Sequence, residues 1–359
     1  MGDSGSLAGA YSDDSVLFRV LKHLGWGDLA NIGYFTLPTL PVAALAGPVF
    51  FQRRLARRSL GLLNARPGQL VLDAGCGRGD TTARLGAAGC RALGVDIQPS
   101  QIDRARRRFG SRSGARFAVA DATALPRQAA DIPLQDGSFD CVHCLEAAFH
   151  FGHEGRESFL SDSFRLLRPG GRLVLVDVTS RMDQPMETLD PNGLVRRTWR
   201  FDDIEPCERY PLMASAAGFG TYRILDWTTP VLHRAAELSA LFARFASTRA
   251  GRRALCVRWP GLRELDAREW DEVIAVVRAH QAIGRVTRYT AYVFGKPARE
   301  TGRGARRTVG RAGGCSSTTW TPIASWDRAH AKDALSGSRS TWDRNGRANA
   351  SGSAARVAS

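Results

Sequence analysis

Val71-Leu72-Asp73-Ala74-Gly75-Cys76-Gly77-Arg78-Gly79-Asp80 decides how this chain reads. An apolar run ends in an acid. Three alternating glycines follow, and then Asp80-Thr81-Thr82 opens a helix. Glycine allows positive φ and lets backbone approach a ligand closely. The helix that follows presents unpaired N–H groups and the positive end of its dipole. This is a strand, a tight turn and a helix start, the arrangement that holds a nucleotide-like ligand at the carboxyl edge of a parallel sheet. A dinucleotide fingerprint, G-x-G-x-x-G, would need glycine at position 80, where the chain has Asp80. Asp73, two residues before Gly75, repels a pyrophosphate and suits a cationic ligand bearing an amino group.

Four further segments follow in order. Ala92-Leu93-Gly94-Val95-Asp96 is a second strand ending in an acid, placed to accept hydrogen bonds from ribose hydroxyls. Phe117-Ala118-Val119-Ala120-Asp121-Ala122 is a third. Phe139 to Leu145 is a fourth, after the turn Asp136-Gly137. Leu166 to Asp177 reads as a helix end, a Pro169-Gly170-Gly171 turn and a fifth strand. A sixth is expected at Tyr222–Trp227 and a seventh at Arg288–Phe294. Alternation of strands with helices implies a doubly wound α/β sheet.

With Asp73, Gly75, Gly77, Gly79, Asp96 and Asp121 in this order, the chain resembles the class I S-adenosylmethionine (SAM)-dependent methyltransferases, whose first motif is D-x-G-x-G-x-G. Among these it is most similar to small-molecule enzymes such as the natural-product sugar and polyketide O-methyltransferases. The resemblance implies a Rossmann-like seven-stranded sheet with its last strand antiparallel and helical lid insertions. It implies SAM as cofactor, with Asp96 on the ribose, Ile97 on the adenine face and Asp121 facing the adenine amino group. Cys76, Gln101, Ala122 and Leu145 are the flanking cofactor contacts. Trp26…Asn31-Ile32-Gly33-Tyr34-Phe35 resembles the family's N-terminal entry, in which the tyrosine, here Tyr34, reaches the methionine carboxylate. In Leu145-Glu146-Ala147-Ala148-Phe149-His150 the family carries a catalytic histidine, paired with a carboxylate at the end of strand five. The matching residues are His150 and Asp177, and Glu146 is expected to touch cofactor or acceptor. Where some relatives have a second, adjacent histidine, this chain has Phe149.

The resemblance divides the chain into an N-terminal extension (1–25), cap helices (26–66), a SAM-binding core (67–180), the rest of the core with lid insertions (181–297) and a tail (298–359). One insertion, about 179–210, follows strand five. Another, about 232–283, is helical, with apolar spacing at Leu238, Leu241, Phe242 and Phe245. Lids over the strand ends point to a small-molecule acceptor in an enclosed cavity. A hydroxyl acceptor is expected. Alternatives are a C-methyltransferase on a quinone, sterol or terpenoid, and a non-catalytic SAM-fold binding protein. The amino-group methyltransferases of nucleic acids carry (N/D)-P-P-(Y/F) after strand four, where this chain has Leu145-Glu146-Ala147-Ala148.

Composition tests the nucleic-acid reading. The net charge is +15 over 359 residues. Residues 299–359 hold ten Arg and one Lys against four acids, a net +7, which leaves +8 for the body. That tail, rich in Gly, Ser, Ala and Arg, is expected to be disordered. The run Arg104-Ala105-Arg106-Arg107-Arg108 is expected to be a solvated helix face. No nucleic-acid partner is therefore expected. Seven scattered cysteines suggest no disulfide framework. Cys141-x-x-Cys144 lies on a strand without a second pair, so both are expected to be buried rather than metal-bound, and His143 between them to be packed. Residues 1–4 are acidic, unlike a secretory leader, and a cytoplasmic monomer or homodimer is expected. Leu29–Gln52 carries no charge, but three prolines interrupt it, which argues against a membrane span.

Overall fold

Leu70–Ala74 forms β1, an interior strand of a seven-stranded sheet, paired with a neighbour on each side. The computed structural model describes residues 15–298 apart from 28, 30, 37–46, 112–113 and 182, all within the unit Met1–Ala305. The expected disordered tail lies outside the described residues, as do residues 1–14. So does the stretch 37–46 of the uncharged segment. Among the described residues no helix is long and apolar enough to cross a membrane.

The other strands are β2 (Arg91–Asp96), β3 (Ala115–Val119), β4 (Phe139–Leu145), β5 (Leu167–Ser180), β6 (Thr221–Asp226) and β7 (Thr287–Gly295). Their order across the sheet is β3-β2-β1-β4-β5-β7-β6. The first five are parallel, and β7 runs antiparallel to both neighbours. Every expected strand is present, and the last one is antiparallel as expected. β5 begins earlier than its sequence suggests, because the Pro169-Gly170-Gly171 turn is drawn into the ladder.

Nine helices of eight or more residues are described: α1 (Val16–His23), α2 (Pro48–Leu63), α3 (Asp80–Ala87), α4 (Pro99–Phe109), α5 (Gly152–Leu166), α6 (Arg209–Ala216), α7 (Arg234–Ala246), α8 (Arg249–Arg258) and α9 (Ala267–Ile283). Sequence punctuation starts several of them. Proline opens α2 and α4, where its missing N–H costs nothing. Asp266 caps α9 by accepting from the Glu269 amide at 2.8 Å, while Glu269 accepts from the Asp266 amide at 3.0 Å. α4 turns its arginines outward, leaving Ile102, Ala105 and Phe109 inside.

Side-chain alternation along the strands makes the two cores. Leu72, Leu93, Val142, Leu175 and Phe294 point to one face, which also holds Phe159 and Leu160 of α5. Val71, Ala92, Cys141, Val174 and Ala291 point to the other, with Leu55 and Leu63 of α2. Apolar side chains on both faces are what a sheet covered by helices on both sides requires. Cys141 and Cys144 are both buried thiols of β4, and burial pushes Cys141 up to about 12. The long insertion folds as α7–α9, around a satellite core holding Val20, Leu262, Trp270 and Val273.

Candidate active site

The glycine turn sits between β1 and α3 with Gly75, Gly77 and Gly79 at φ +67°, +52° and +83°. All three are left-handed, a region that side chains with a Cβ rarely adopt. They do different work. A Cβ on Gly75 would lie 2.3 Å from the Ala147 Cβ, so this glycine lets the loop after β4 close on the turn. A Cβ on Gly77 would meet nothing within 4 Å, because that face opens onto a cavity. A Cβ on Gly79 would lie 2.6 Å from the Phe117 ring, so Gly79 seats α3 against β3 and does not line the cavity.

The cavity measures about 730 Å³ and runs along the carboxyl ends of β1–β4. Its walls include Asp73, Gly75, Cys76 and Gly77 from the turn, Asp96, Ile97 and Gln101 after β2, and Asp121 and Ala122 after β3. Leu145, Glu146 and His150 follow from β4. Parallel strands place their ends side by side, so residues far apart in sequence meet there. Asp96 accepts from the Gly77 amide at 2.9 Å and the Gln98 amide at 2.9 Å, while burial pushes its carboxyl above the usual range. Asp121 accepts from the amide and hydroxyl of Thr123 at 2.8 and 2.7 Å.

Asp73 faces inward more than its sequence position suggests. It is 1% exposed. One oxygen accepts from the hydroxyls of Thr81 and Thr82, both at 2.6 Å. The other accepts from His143 Nδ1 at 2.7 Å, and the far nitrogen of His143 lies 2.6 Å from Ser59 Oγ. The carboxylate thus ties β1 to α3, β4 and α2, and the buried His143 is a structural residue as expected.

A strap before α2 closes one side. Leu29 and Asn31 line the cavity. Gln52, fully buried on α2, donates to the Asn31 carbonyl at 2.9 Å and to that of Leu29. Glu146 holds the strap from the opposite side. Its carboxylate accepts from the Ile32 amide at 3.2 Å and from the Tyr289 hydroxyl at 2.6 Å. Burial pushes Glu146 up to about 7. Its backbone is left-handed, with φ +51°, a strain that its anchored side chain helps to hold. Tyr34 follows on the strap but does not line the cavity. Its ring packs edge-on to Trp227 at 5.6 Å and under the Arg58 guanidinium at 4.3 Å.

His150 lines the cavity on the turn after β4, and its Nδ1 donates to the Arg200 carbonyl at 3.0 Å. A carbonyl can only accept, so Nδ1 carries the hydrogen and Nε2 is the basic nitrogen of the neutral ring. Burial pushes His150 down to about 4. The expected pairing with Asp177 is not made. Asp177 is fully buried within β5, does not line the cavity and accepts from the Val178 amide at 2.8 Å. Burial pushes its carboxyl up to about 8, against the pull of the Arg156 cation.

Arg156 is the residue that sequence reading missed. Its side chain is fully buried on α5. It donates to the Ala148 and Phe149 carbonyls at 3.0 and 3.3 Å, to Glu205 at 3.0 Å and to Asp203 at 2.8 Å. It therefore bolts the His150 turn to the lid that follows β5. Glu205, 3% exposed, also accepts from His153 Nδ1 at 3.1 Å, and His153 lines the cavity. The one hint in sequence is the acidic cluster Asp202-Asp203-Ile204-Glu205, which nothing local ties to Arg156.

An open turn under a helix N-terminus, an acid on β2 and a lidded cavity define a nucleoside-binding, Rossmann-like transferase of small molecules. Comparison with known proteins makes this specific. A family model described as "Methyltransferase domain" matches residues 71–171. The chain is 30% identical over 236 residues to 2-methyl-6-phytyl-1,4-hydroquinone methyltransferase of Synechocystis sp., covering 64% of this chain and 70% of the relative. It is 35% identical over 156 residues to 27-O-demethylrifamycin SV methyltransferase of Amycolatopsis mediterranei, covering 42% of this chain and 52% of that relative. In fold it is similar to the cyclopropane synthase MmaA2 from Mycobacterium tuberculosis, with TM-score 0.60 and 15% identity over 82% of this chain and 98% of that one. The chain belongs to the class I SAM-dependent methyltransferases of small-molecule type.

Its cofactor is S-adenosylmethionine, and the residues present fit that group. Gly77 leaves open the space that a Cβ would fill, and the carboxylates of Asp96 and Asp121 stand at the ends of β2 and β3.

Proposed function

We propose that this enzyme methylates a hydroxyl of a small, largely apolar natural product, with His150 as the proton acceptor. The observation carrying this is the His150–Arg200 hydrogen bond, which fixes the ring so that Nε2 is the basic nitrogen in a residue lining the cavity. When bound, SAM supplies an electrophilic methyl group on a sulfonium. The hydroxyl oxygen forms the new C–O bond as the S–C bond breaks, and its proton passes to His150 Nε2. Burial lowers His150 to about 4, which keeps the ring unprotonated at neutral pH but makes it a weaker base than an ordinary imidazole. Asp96 holds the ribose, while Ile97, Asp121 and Ala122 enclose the adenine. Cys76, Gln101 and Leu145 complete the cofactor walls. Glu146 and the strap keep water out.

The long alignment to a hydroquinone methyltransferase favours a phenolic acceptor. Deprotonating a phenol activates its oxygen and its ring carbon alike, so C-methylation is the second reading. A panel of phenols and macrolide alcohols, read by product mass and by NMR of the new methyl, separates the two. His150→Ala is expected to lower turnover about 10²–10⁴-fold with SAM affinity unchanged. Full turnover in that variant removes His150 from the chemistry, and a carbon-bound methyl replaces the first reading with the second.

A further inference from the structure

α7 covers only part of its apolar stripe, with Phe242 packed on Trp270 of the satellite core. Its periodicity places Leu238, Leu241, Phe242 and Phe245 on one stripe, which in a surface helix should face the core. Its two buried residues are instead the small ones, Ala243 and Ala246. Leu241 is 54% exposed and Phe245 45%. On the next helix Val257 is 75% exposed. These are three of the six exposed large apolar residues among the described ones, all within one helical hairpin. Scattered exposed apolar residues need no explanation, but a cluster marks a contact surface.

The charge around them is mainly positive, with Glu237 one turn before Leu241 paired to Arg234. From Leu238 to Arg263 the chain holds six arginines and no acid. Arg252 is met by Asp271 from α9 at 2.9 Å, and Glu264 closes the stretch. Arg244, Arg249, Arg253 and Arg263 stand exposed. Arg253, Val257 and Arg263 share a shallow groove floored by Leu262, Leu265 and Trp270, so cation and apolar side chain occupy one surface.

We infer that the α7–α8 hairpin is a docking surface for an anionic lipid bilayer. Arginines would meet headgroup phosphates while Leu241, Phe245 and Val257 enter the acyl boundary. Basic residues interleaved with bulky apolar ones are the composition of interfacial helices. A second copy of the chain fits less well, because a two-fold contact would set arginine against arginine. Nucleic acid would use the arginines and leave the aliphatic side chains without a partner.

The test is co-sedimentation of the full chain with vesicles of phosphatidylcholine, alone or with roughly one third phosphatidylglycerol. Binding is expected only to the anionic vesicles and should weaken at high salt. Arg253→Gln with Arg263→Gln should lower partitioning about thirty-fold, near fivefold per arginine. Leu241→Asp with Phe245→Asp, and Val257→Asp alone, should lower it further at unchanged thermal stability and SAM affinity. The basic segment 299–359 stays in every variant, so anionic binding that survives all of them assigns the effect elsewhere and overturns the proposal. Absence of wild-type binding overturns it too, as does a dimer in gel filtration that Val257→Asp dissociates.

Discussion

Replacing Glu146 by glutamine isolates one charge at the wall of the cavity. The carboxyl is pushed up to about 7 by burial, from an ordinary value of 4.5. Between those two values the native state binds more protons than the unfolded chain. Stability therefore falls as pH rises through this window and levels off above about 7. The shift of roughly 2.5 units corresponds to about 3 kcal/mol at most, and water in the cavity reduces it. Glutamine is neutral throughout and keeps an oxygen for the Ile32 amide and the Tyr289 hydroxyl. Wild type and variant should then converge below about pH 4.5 and differ by under about 1 kcal/mol near pH 5, while the variant gains up to about 3 kcal/mol by pH 8. Asp177, also pushed up to about 8, is raised in part by the Glu146 charge, so removing that charge lowers Asp177 and adds to the gain of the variant at high pH. Urea unfolding of the ligand-free proteins at each unit of pH from about 5 to 8 measures this. A difference that stays constant across the range refutes the buried-carboxylate reasoning.

Other perturbations test the rest of the site. Arg156→Met leaves the buried Glu205 with only His153 and a longer contact to Arg209, which should cost up to about 3–5 kcal/mol, and adding Glu205→Gln should recover part of it in a double-mutant cycle. Asp96→Ala should weaken SAM binding by calorimetry about tenfold to a hundredfold, through lost charged hydrogen bonds of about 1.5–3 kcal/mol. Gly75→Ala places a Cβ 2.3 Å from Ala147 on a left-handed backbone. It should abolish SAM binding before it unfolds the protein. An unchanged dissociation constant there would mean that the β1 and β4 loops do not need to touch.

How much the sequence could show depends on the range of the interaction. Strands β1 to β7 and the left-handed glycine turn were legible because each rests on neighbouring residues: apolar runs, glycine spacing and the Pro-Gly-Gly turn; the antiparallel direction of the last strand came only from the family resemblance. The acids at the ends of β2 and β3 were legible because parallel strands must deliver their carboxyl ends to one edge. The destinations of individual side chains were not. Gly79 serves Phe117 and Ala105 of neighbouring elements. Tyr34 goes to Trp227, and Asp177 stays inside β5 while His150 finds the Arg200 carbonyl 50 residues away.

Arg156 marks the boundary between the two kinds of information. In sequence it is one arginine on a polar helix. Only folding brings it to Asp203 and Glu205, 47 and 49 residues on, where a fully buried cation must find acids and carbonyls. The same holds for α7, whose helical periodicity was legible and whose orientation was not. Period alone fixes which residues share a face, and packing against α8 and α9 decides which face is covered. The sequence by itself determined the sheet, the turn and the class of cofactor. The tertiary structure decided which polar groups spend their hydrogen bonds on the fold and which remain at the cavity wall, because burial and long-range pairing exist only once the chain has closed.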